Sequence, residues 1–424
     1  MRVSSEMRLL VLSNDKFPPF RVDVTVLFGK ELARSGFNID WILQSDKACE
    51  QDMQAPYGGG MAYVGRTDLG TSRRHRLHKH WLAFRHDMKV GRLARAGRYD
   101  VIQVKDKVLA TLPALWAARR NRAAFVYWLS FPNAESSLYL ARTGAARYPV
   151  LYRLRGWSLF WLLYRVILPR ADHIFVQSEQ MKQDLASYGL DPAKMTPVPM
   201  GIQLEDFAGI TAPVPTPVGS GPVVGYLGTL AGERRMDFLV RVFALVLQAV
   251  PDAKLLFVGD GDRPGDAEAI REEARRLGIF DRVEITGFLP RHEALRRIVR
   301  ADVCASPFYP TPILNSTSPT KLVEYMALGR PVVANDHPEQ RLVIEGSRAG
   351  LCVPYDEAAF AQALVKILQD PREAAAMGER GRAYVERHRD YRGIGAQVAQ
   401  KFRELVARRN GSEYAPPGAS SQSH

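Results

Sequence analysis

The chain has 424 residues, 46% hydrophobic and 9% aromatic, which excludes a disordered or fibrous polypeptide and, at roughly 100–200 residues per domain, implies two domains with a cleft between them. A formal charge of +13 points to anionic partners, with nucleotide phosphates and an anionic membrane surface as candidates. Cys49, Cys304 and Cys352 are too scattered for a zinc site or a disulfide framework, and suit a reducing, cytoplasmic setting.

From the N terminus, a strand over residues 9–13 is followed by a helix over 27–35 and a strand over 39–43. Further strands are expected at 101–104, 125–129 and 174–177. Short apolar runs alternating with helical patterns predict a parallel sheet covered by helices. The opening apolar run is too short for a secretory leader and runs directly into Ser13, Asn14 and Asp15.

Between Arg66 and Arg98, ten Arg or Lys stand against Asp68 and Asp87, with Leu77, Trp81, Phe84 and Met88 at helical spacing. Two readings of this basic amphipathic helix stand side by side. It lies on an anionic bilayer as a peripheral element, or it is an ordinary surface helix with its apolar stripe in the core. The aromatic-rich run 148–168 has the same character and suggests a lipid-linked acceptor. Its most apolar stretch, 156–164, is far shorter than the roughly 20 residues a spanning helix needs, so it can touch a bilayer but not cross one. No nucleic-acid partner is expected, because the basic cluster belongs to no recognisable binding module.

A Pro- and Gly-rich stretch, 208–221, reads as a linker between a first domain, 1–207, and a second, 222–388. Strands are expected in the second domain at 223–227, 255–258, 283–286, 303–305, 332–334 and 351–353, with a helix at 238–250. An amphipathic helix at about 394–408, within a final segment 389–409, precedes a polar tail, 410–424.

The most informative motif runs from Ser318 to Gly329. Ser318 suits an N-cap and Pro319 the first helical position, so the free amides from Thr320 to Leu322 and the positive helix end form an anion site. Lys321 adds charge there, and Glu324, one turn on, can accept from the two hydroxyls of a ribose. Two glycine loops follow strands in the same domain, Gly228-Thr229 and Gly259-Asp260-Gly261, at the strand ends where α/β sheets bind ligands. Arg234, with Arg235 beside it, precedes a helix and is placed to neutralise a diphosphate.

With these residues, Tyr226-Leu227-Gly228, Gly287-Phe288, Ala301-Asp302-Val303 and the run from Glu324 to Ala334 resemble glycosyltransferase family 4, in order and in spacing. Phe17-Pro18-Pro19, the segment from Ala171-Asp172 to Ser178, and Pro199-Met200-Gly201-Ile202 extend the resemblance over nearly the whole chain. The resemblance implies an α/β GT-B fold: two Rossmann-like domains facing across a cleft, with a C-terminal helix crossing back to the first. It further implies retaining, metal-independent transfer from a UDP- or GDP-sugar to a saccharide or polyprenyl-linked acceptor, without a cofactor. Arg234, Lys321 and Glu324 would be the catalytic set. Gly228, Thr229, Arg235, Gly259, Asp260, Gly261, Gly287, Phe288, Ser318, Thr320 and Leu322 would bind the donor.

Arg21, Asp23 and Ser130 are the acceptor-side candidates. The chain departs from the family pattern at four points. Ser316 stands where a second glutamate, eight before Glu324, is expected; Thr229 replaces an arginine, Ser130 a histidine, and Val22-Asp23-Val24 a pair of glycines. Thr229, Ser130 and Ser316 keep open a non-catalytic nucleotide-sugar-binding or scaffold protein, which would bind donor without turnover; a nucleotide-sugar epimerase on the same fold, which would need no acceptor, is a second alternative. A metal-dependent transferase using Asp260 and Asp262 would lose activity in chelator.

Overall fold

β-branched and aromatic runs fall into strands because their side chains fit a pleated, buried surface. The computed structural model describes residues 6–210, 221–263 and 265–411. They divide into two units, one within Met1–Pro199 and Tyr391–His424, the other Met200–Asp390.

In the first unit the strands are β1 (Met7–Phe17), β2 (Phe37–Ser45), β3 (Met53–Tyr57), β4 (Gly60–Gly65), β5 (Val101–Lys105), β6 (Ala124–Leu129), β7 (His173–Val176) and β8 (Met195–Pro197). They lie in the order β3-β4-β2-β1-β5-β6-β7-β8, all parallel except the β3–β4 hairpin. One face packs on helices Val90–Gly97, Thr111–Arg120 and Glu179–Ser187 through Ala94, Ala114 and Leu185. The other is covered by helix Asp23–Leu32 and the last helix, Tyr391–Arg409, whose Tyr391, Ile394, Val398 and Phe402 join Leu27 and Phe28 in the core.

The second unit contains β9 (Val223–Leu227), β10 (Lys254–Val258), β11 (Val283–Ile285), β12 (Val303–Ser306), β13 (Val332–Asn335) and β14 (Gly350–Val353). Their order is β11-β10-β9-β12-β13-β14, and every pair is parallel. This is the doubly wound arrangement, with the strand order reversing between β9 and β12. In the first sheet the reversal falls between β1 and β5. Ligand crevices in such sheets open at the carboxyl ends of the strands flanking the reversal.

Several boundaries differ from the sequence expectations. β1 runs on to Phe17, with an irregularity in its pairing to β2 between Leu12 and Lys16. The β3–β4 hairpin was not expected; it turns on Gly58 and Gly59, both at positive φ, which only glycine adopts readily. The first unit ends at Pro199 rather than 207, because Ile202, Phe207 and Ile210 bury in the second unit's core. Most of the expected linker and tail, 211–220 and 412–424, lies outside the described residues. Among the described residues, no helix is long and apolar enough to cross a membrane.

Candidate functional site

Helix Thr320–Ala327 follows β12 and the short helix Pro312–Asn315. It begins one residue later than expected: Pro319 holds the N-cap position, without a side-chain cap. Ser318 does not cap it, since its hydroxyl accepts the Met200 N–H at 3.0 Å. The amides of Thr320, Lys321 and Leu322 therefore stay unsatisfied within the helix, and the first turn carries no acid to compensate them. Leu322 can offer only its backbone, because its side chain is in the core.

Tyr325 fixes this helix to the end of β9. Its hydroxyl, fully buried, accepts the Leu227 N–H at 2.8 Å and faces the Leu227 carbonyl at 3.4 Å. Lys321 thereby comes to lie over Gly228, with its ammonium 5.3 Å from the Tyr226 ring centre. A Cβ on Gly228 would sit 2.0 Å from the lysine Cε, so the glycine makes room for the side chain. Gly259 likewise lets two loops touch, since a Cβ there would lie 2.1 Å from the Gly228 carbonyl oxygen.

The remaining loops close on these. The Leu230 N–H donates to the Asp260 carbonyl at 2.8 Å, and the Gly259 N–H to the Thr286 hydroxyl at 3.3 Å. The Asp260 carboxylate accepts the Gly261 N–H at 2.8 Å, holding its own turn, while Phe288 beyond Gly287 projects into solvent. Thr229 is exposed, and its carbonyl accepts from the Tyr226 hydroxyl.

Glu324 is buried and accepts at 2.8 Å from Arg291, a residue not singled out in the sequence. Arg291 starts the helix after Gly287-Phe288 and also pairs with Asp206 at 3.5 Å. Burial alone would lower its pKa, but Glu324 and then Asp206 raise it above the usual value. The ribose-gripping candidate is thus tied to the loop expected near the base. Ser316, at the position expected for the second glutamate, is buried.

Arg234 extends toward the end of β12, its guanidinium 5.7 Å from the Phe308 ring centre. Asn335 holds Phe308 from both sides, accepting its N–H at 2.5 Å and donating to its carbonyl at 2.9 Å. Arg235 sits 5.4 Å from the Tyr309 ring centre, on a left-handed backbone with φ of 54°. Among the described residues, neither Lys321 nor the Arg234 guanidinium has an ion-pair or hydrogen-bond partner; Arg235 faces Asp237 at 3.5 Å. Two uncompensated cations, a helix end and glycine-lined loops make a candidate anion site at the strand-order reversal.

The acceptor-side candidates meet in the first unit. Arg21 grips Asp23 with two hydrogen bonds of 3.1 Å. Ser130 bonds Asp106 through its N–H at 2.8 Å and through its hydroxyl. What joins them is Lys105, fully buried at the end of β5, 2.9 Å from Asp15, 3.5 Å from Asp23 and 3.7 Å from Asp106. Burial pulls the lysine pKa down, but Asp23 and Asp106 outweigh it and leave it raised. Sequence reading missed Asp15, Lys105 and Asp106, although Lys105-Asp106 directly follows an expected strand, where ligands bind. Among the described residues, no three His, Cys, Asp or Glu side chains gather as a metal-ion site.

A family model described as "Glycosyltransferase Family 4" matches residues 23–206, and one described as "Glycosyl transferases group 1" matches 221–370. The chain is 29% identical over 265 residues to a GDP-mannose-dependent alpha-(1-6)-phosphatidylinositol monomannoside mannosyltransferase of Mycolicibacterium smegmatis, covering 58% of this chain and 66% of that one. It is 31% identical over 170 residues to the 2-deoxystreptamine glucosyltransferase of Streptomyces kanamyceticus, covering 40% and 42%. The match spans less than two thirds of either relative. Among solved structures, a sucrose-phosphate synthase of Thermosynechococcus elongatus superimposes with a TM-score of 0.68 at 21% identity, over 95% of this chain and 100% of that one. The Anabaena protein HepE, in complex with UDP-glucose, does so with 0.63 at 17% identity, over 94% and 100%. At such identities the likeness is one of fold.

Proposed function

Because the chain belongs to glycosyltransferase family 4 and has the GT-B fold, we propose that it is a retaining, metal-independent glycosyltransferase moving a sugar from a UDP- or GDP-sugar to a saccharide or lipid-linked acceptor. The observation that carries this reading is that Lys321 and Arg234, both without a counter-charge among the described residues, stand with the amides of Thr320 to Leu322 beside Gly228. A nucleoside diphosphate supplies the anion such a site lacks. Both bases remain candidates, one relative being GDP-mannose-dependent and one fold neighbour being solved with UDP-glucose.

In this reading the donor diphosphate lies beside Lys321 and the Gly228 and Gly259 loops, which pack closely because neither glycine carries a side chain. Glu324, oriented by Arg291, accepts from the ribose hydroxyls, and the Gly287-Phe288 loop borders the base. As the bond from the anomeric carbon to the phosphate oxygen breaks, negative charge grows on the leaving diphosphate. Lys321, Arg234 and the helix amides are already aimed at that charge, which is how a preorganised site lowers a barrier. The acceptor oxygen bonds the anomeric carbon on the same face, and its proton passes to the departing phosphate oxygen. No protein nucleophile is required. The cluster of Arg21, Asp23 and Ser130 offers donors and acceptors to acceptor hydroxyls.

The reading is tested by incubating the purified chain with UDP-glucose, UDP-galactose or GDP-mannose, plus saccharide and polyprenyl-phosphate acceptors, in chelator. Release of UDP or GDP in step with a glycosylated product supports it. Conversion of the donor sugar without acceptor would instead identify an epimerase. Donor binding without turnover would identify a non-catalytic protein, and activity restored only by manganese would remove metal independence.

A further inference from the structure

Most of the large apolar side chains that the first unit exposes fall on two segments; Phe20, Leu109, Leu112 and Trp116 are among those that do not. In helix Arg73–Asp87 the stripe expected at helical spacing does not enter the core: Leu77 is 72% and Trp81 52% exposed, and Phe84 and Met88 are open as well. Helix Pro149–Phe160 packs on helix Asn133–Arg142 through Gly156, where a Cβ would lie 2.6 Å from Leu138 Cγ. Its opposite side presents Val150, Leu154, Trp157 and, at its end, Trp161, the two tryptophans 59% and 62% exposed. Spacings of four, three and four residues place these on one stripe.

Both segments are basic where they are apolar. From residue 136 to 171 there is no Asp or Glu, while Arg142, Arg147, Arg153, Arg155, Arg165 and Arg170 all reach solvent. Around helix Arg73–Asp87 the acids are already engaged: Asp52 by Lys89 at 2.6 Å, Asp68 by His75 at 2.8 Å, and Asp87 by Lys107 at 2.6 Å. Arg74, Arg76, Lys79 and Arg92 have no ion pair among the described residues. The inner residues of both connections, Val90 and Ala94 in one and Leu163 and Ile167 in the other, pack on the same sheet face, opposite helix Tyr391–Arg409.

Beside the first stripe lies a cavity of about 300 Å³, lined by Arg66, Arg85, His86, Lys89 and Arg92 with Asp52 as the single acid. His86 is buried and uses its Nε2 on the Tyr63 carbonyl at 3.0 Å, while its Nδ1 faces the Asp52 carboxylate at 3.6 Å without a hydrogen bond among the described residues. The Arg66 Nε is buried and has no hydrogen-bond partner among the described residues. Arg85 stacks on Trp81, 4.7 Å from the ring centre, so the cavity's cations adjoin the exposed tryptophan.

We infer that this face of the first unit docks on an anionic bilayer, with a lipid phosphate seated in the Arg66–Arg92 cavity and the Trp81 and Trp157–Trp161 stripes entering the acyl boundary. Cations at headgroup level with tryptophans just below them is the arrangement that anionic interfaces hold. A soluble phosphate would satisfy the cavity but not the stripes, and a neutral bilayer the stripes but not the arginines. The inference does not depend on the donor site, which lies in the other unit.

Flotation of the full chain with vesicles of phosphatidylcholine alone, or mixed with phosphatidylglycerol, tests it. Binding to the anionic vesicles, weakened by added salt, is expected, with none to the neutral ones. Absence of binding, or equal binding to both, overturns the inference. Trp157→Ala/Trp161→Ala and Arg85→Glu/Arg92→Glu should each lower partitioning at least about tenfold; retention by both variants overturns it. Quenching of the wild-type tryptophans by brominated acyl chains, a readout independent of variant folding, should occur only in anionic vesicles. If inorganic phosphate occupies the cavity while vesicles stay unbound, the site serves a soluble anion and the inference fails. UDP or GDP binding by the same variants separates this failure from failure of the donor reading.

Discussion

Where the strand order reverses in the first sheet, the chain buries its charges against one another: Asp15, Asp23 and Asp106 surround Lys105, and Arg21 closes the group. At the corresponding place in the second sheet it does the opposite, leaving Lys321 and Arg234 without a carboxylate among the described residues. The two sheets share a topology, so the contrast lies in the side chains. A self-compensated cluster presents hydroxyl-sized hydrogen-bonding partners and little net charge, whereas an uncompensated one waits for an anion. The charge a ligand must bring can therefore be read from what the fold leaves unpaired.

The largest effect should come from the unpaired side. Lys321→Ala and Arg234→Ala are each expected to lower kcat/KM by about 10²–10³-fold, with the urea midpoint unmoved, as exposed or partly exposed cations without partners contribute little to stability. Steady-state kinetics beside urea titration checks this. Lys105→Met should behave in reverse. Removing the cation leaves three buried carboxylates facing one another, at a cost on the order of 3–5 kcal/mol, read as an earlier urea transition, while nucleotide affinity in the other unit is unchanged. A Lys105→Met protein of full stability would break the comparison.

Acid should separate the units further. His173, buried in β7 and bonded to the Thr196 hydroxyl at 2.9 Å, has its pKa pushed down by burial to about 4. Its depressed folded-state pKa means that this stability is fully present above the ordinary value of 6.5 and is lost as pH falls toward 4. The loss amounts to roughly 3 kcal/mol, on the scale of 1.4 kcal/mol per pKa unit. Urea midpoints at pH 7 and pH 5 should differ for the wild type, and less for His173→Gln. A smaller effect is expected from Arg291→Ala. Freed from its partner, Glu324 should hold a ribose less well, raising donor KM about tenfold with kcat nearly kept, as for loss of an orienting contact.

The second unit was the more legible of the two. Its strands 223–227, 255–258 and 303–305 lie within one residue of where the apolar runs place them, because each is a short buried run closed by glycine or proline. Lys321, Gly228, Gly259 and Glu324 stand out for a local reason: each follows a strand or opens a helix. Arg291 was illegible, since its role depends on a carboxylate 33 residues away in the chain. So was Lys105, which no local pattern marks as the centre of three aspartates drawn from separate segments. Ser318 misled because its sequence suits an N-cap, while the Met200 N–H claims its hydroxyl. The stripe of helix Arg73–Asp87 could be read two ways because periodicity gives a face but not what covers it; its exposure removes the core reading.

The most direct test is isothermal titration of UDP and of GDP, in chelator, into the wild-type protein, Arg234→Ala/Lys321→Ala and Lys105→Met. One nucleotide should bind the wild type and Lys105→Met alike and be lost from the double variant. Equal binding to the double variant, or no binding of either nucleotide to the wild type, would contradict the assignment of the unpaired cations to a nucleoside diphosphate.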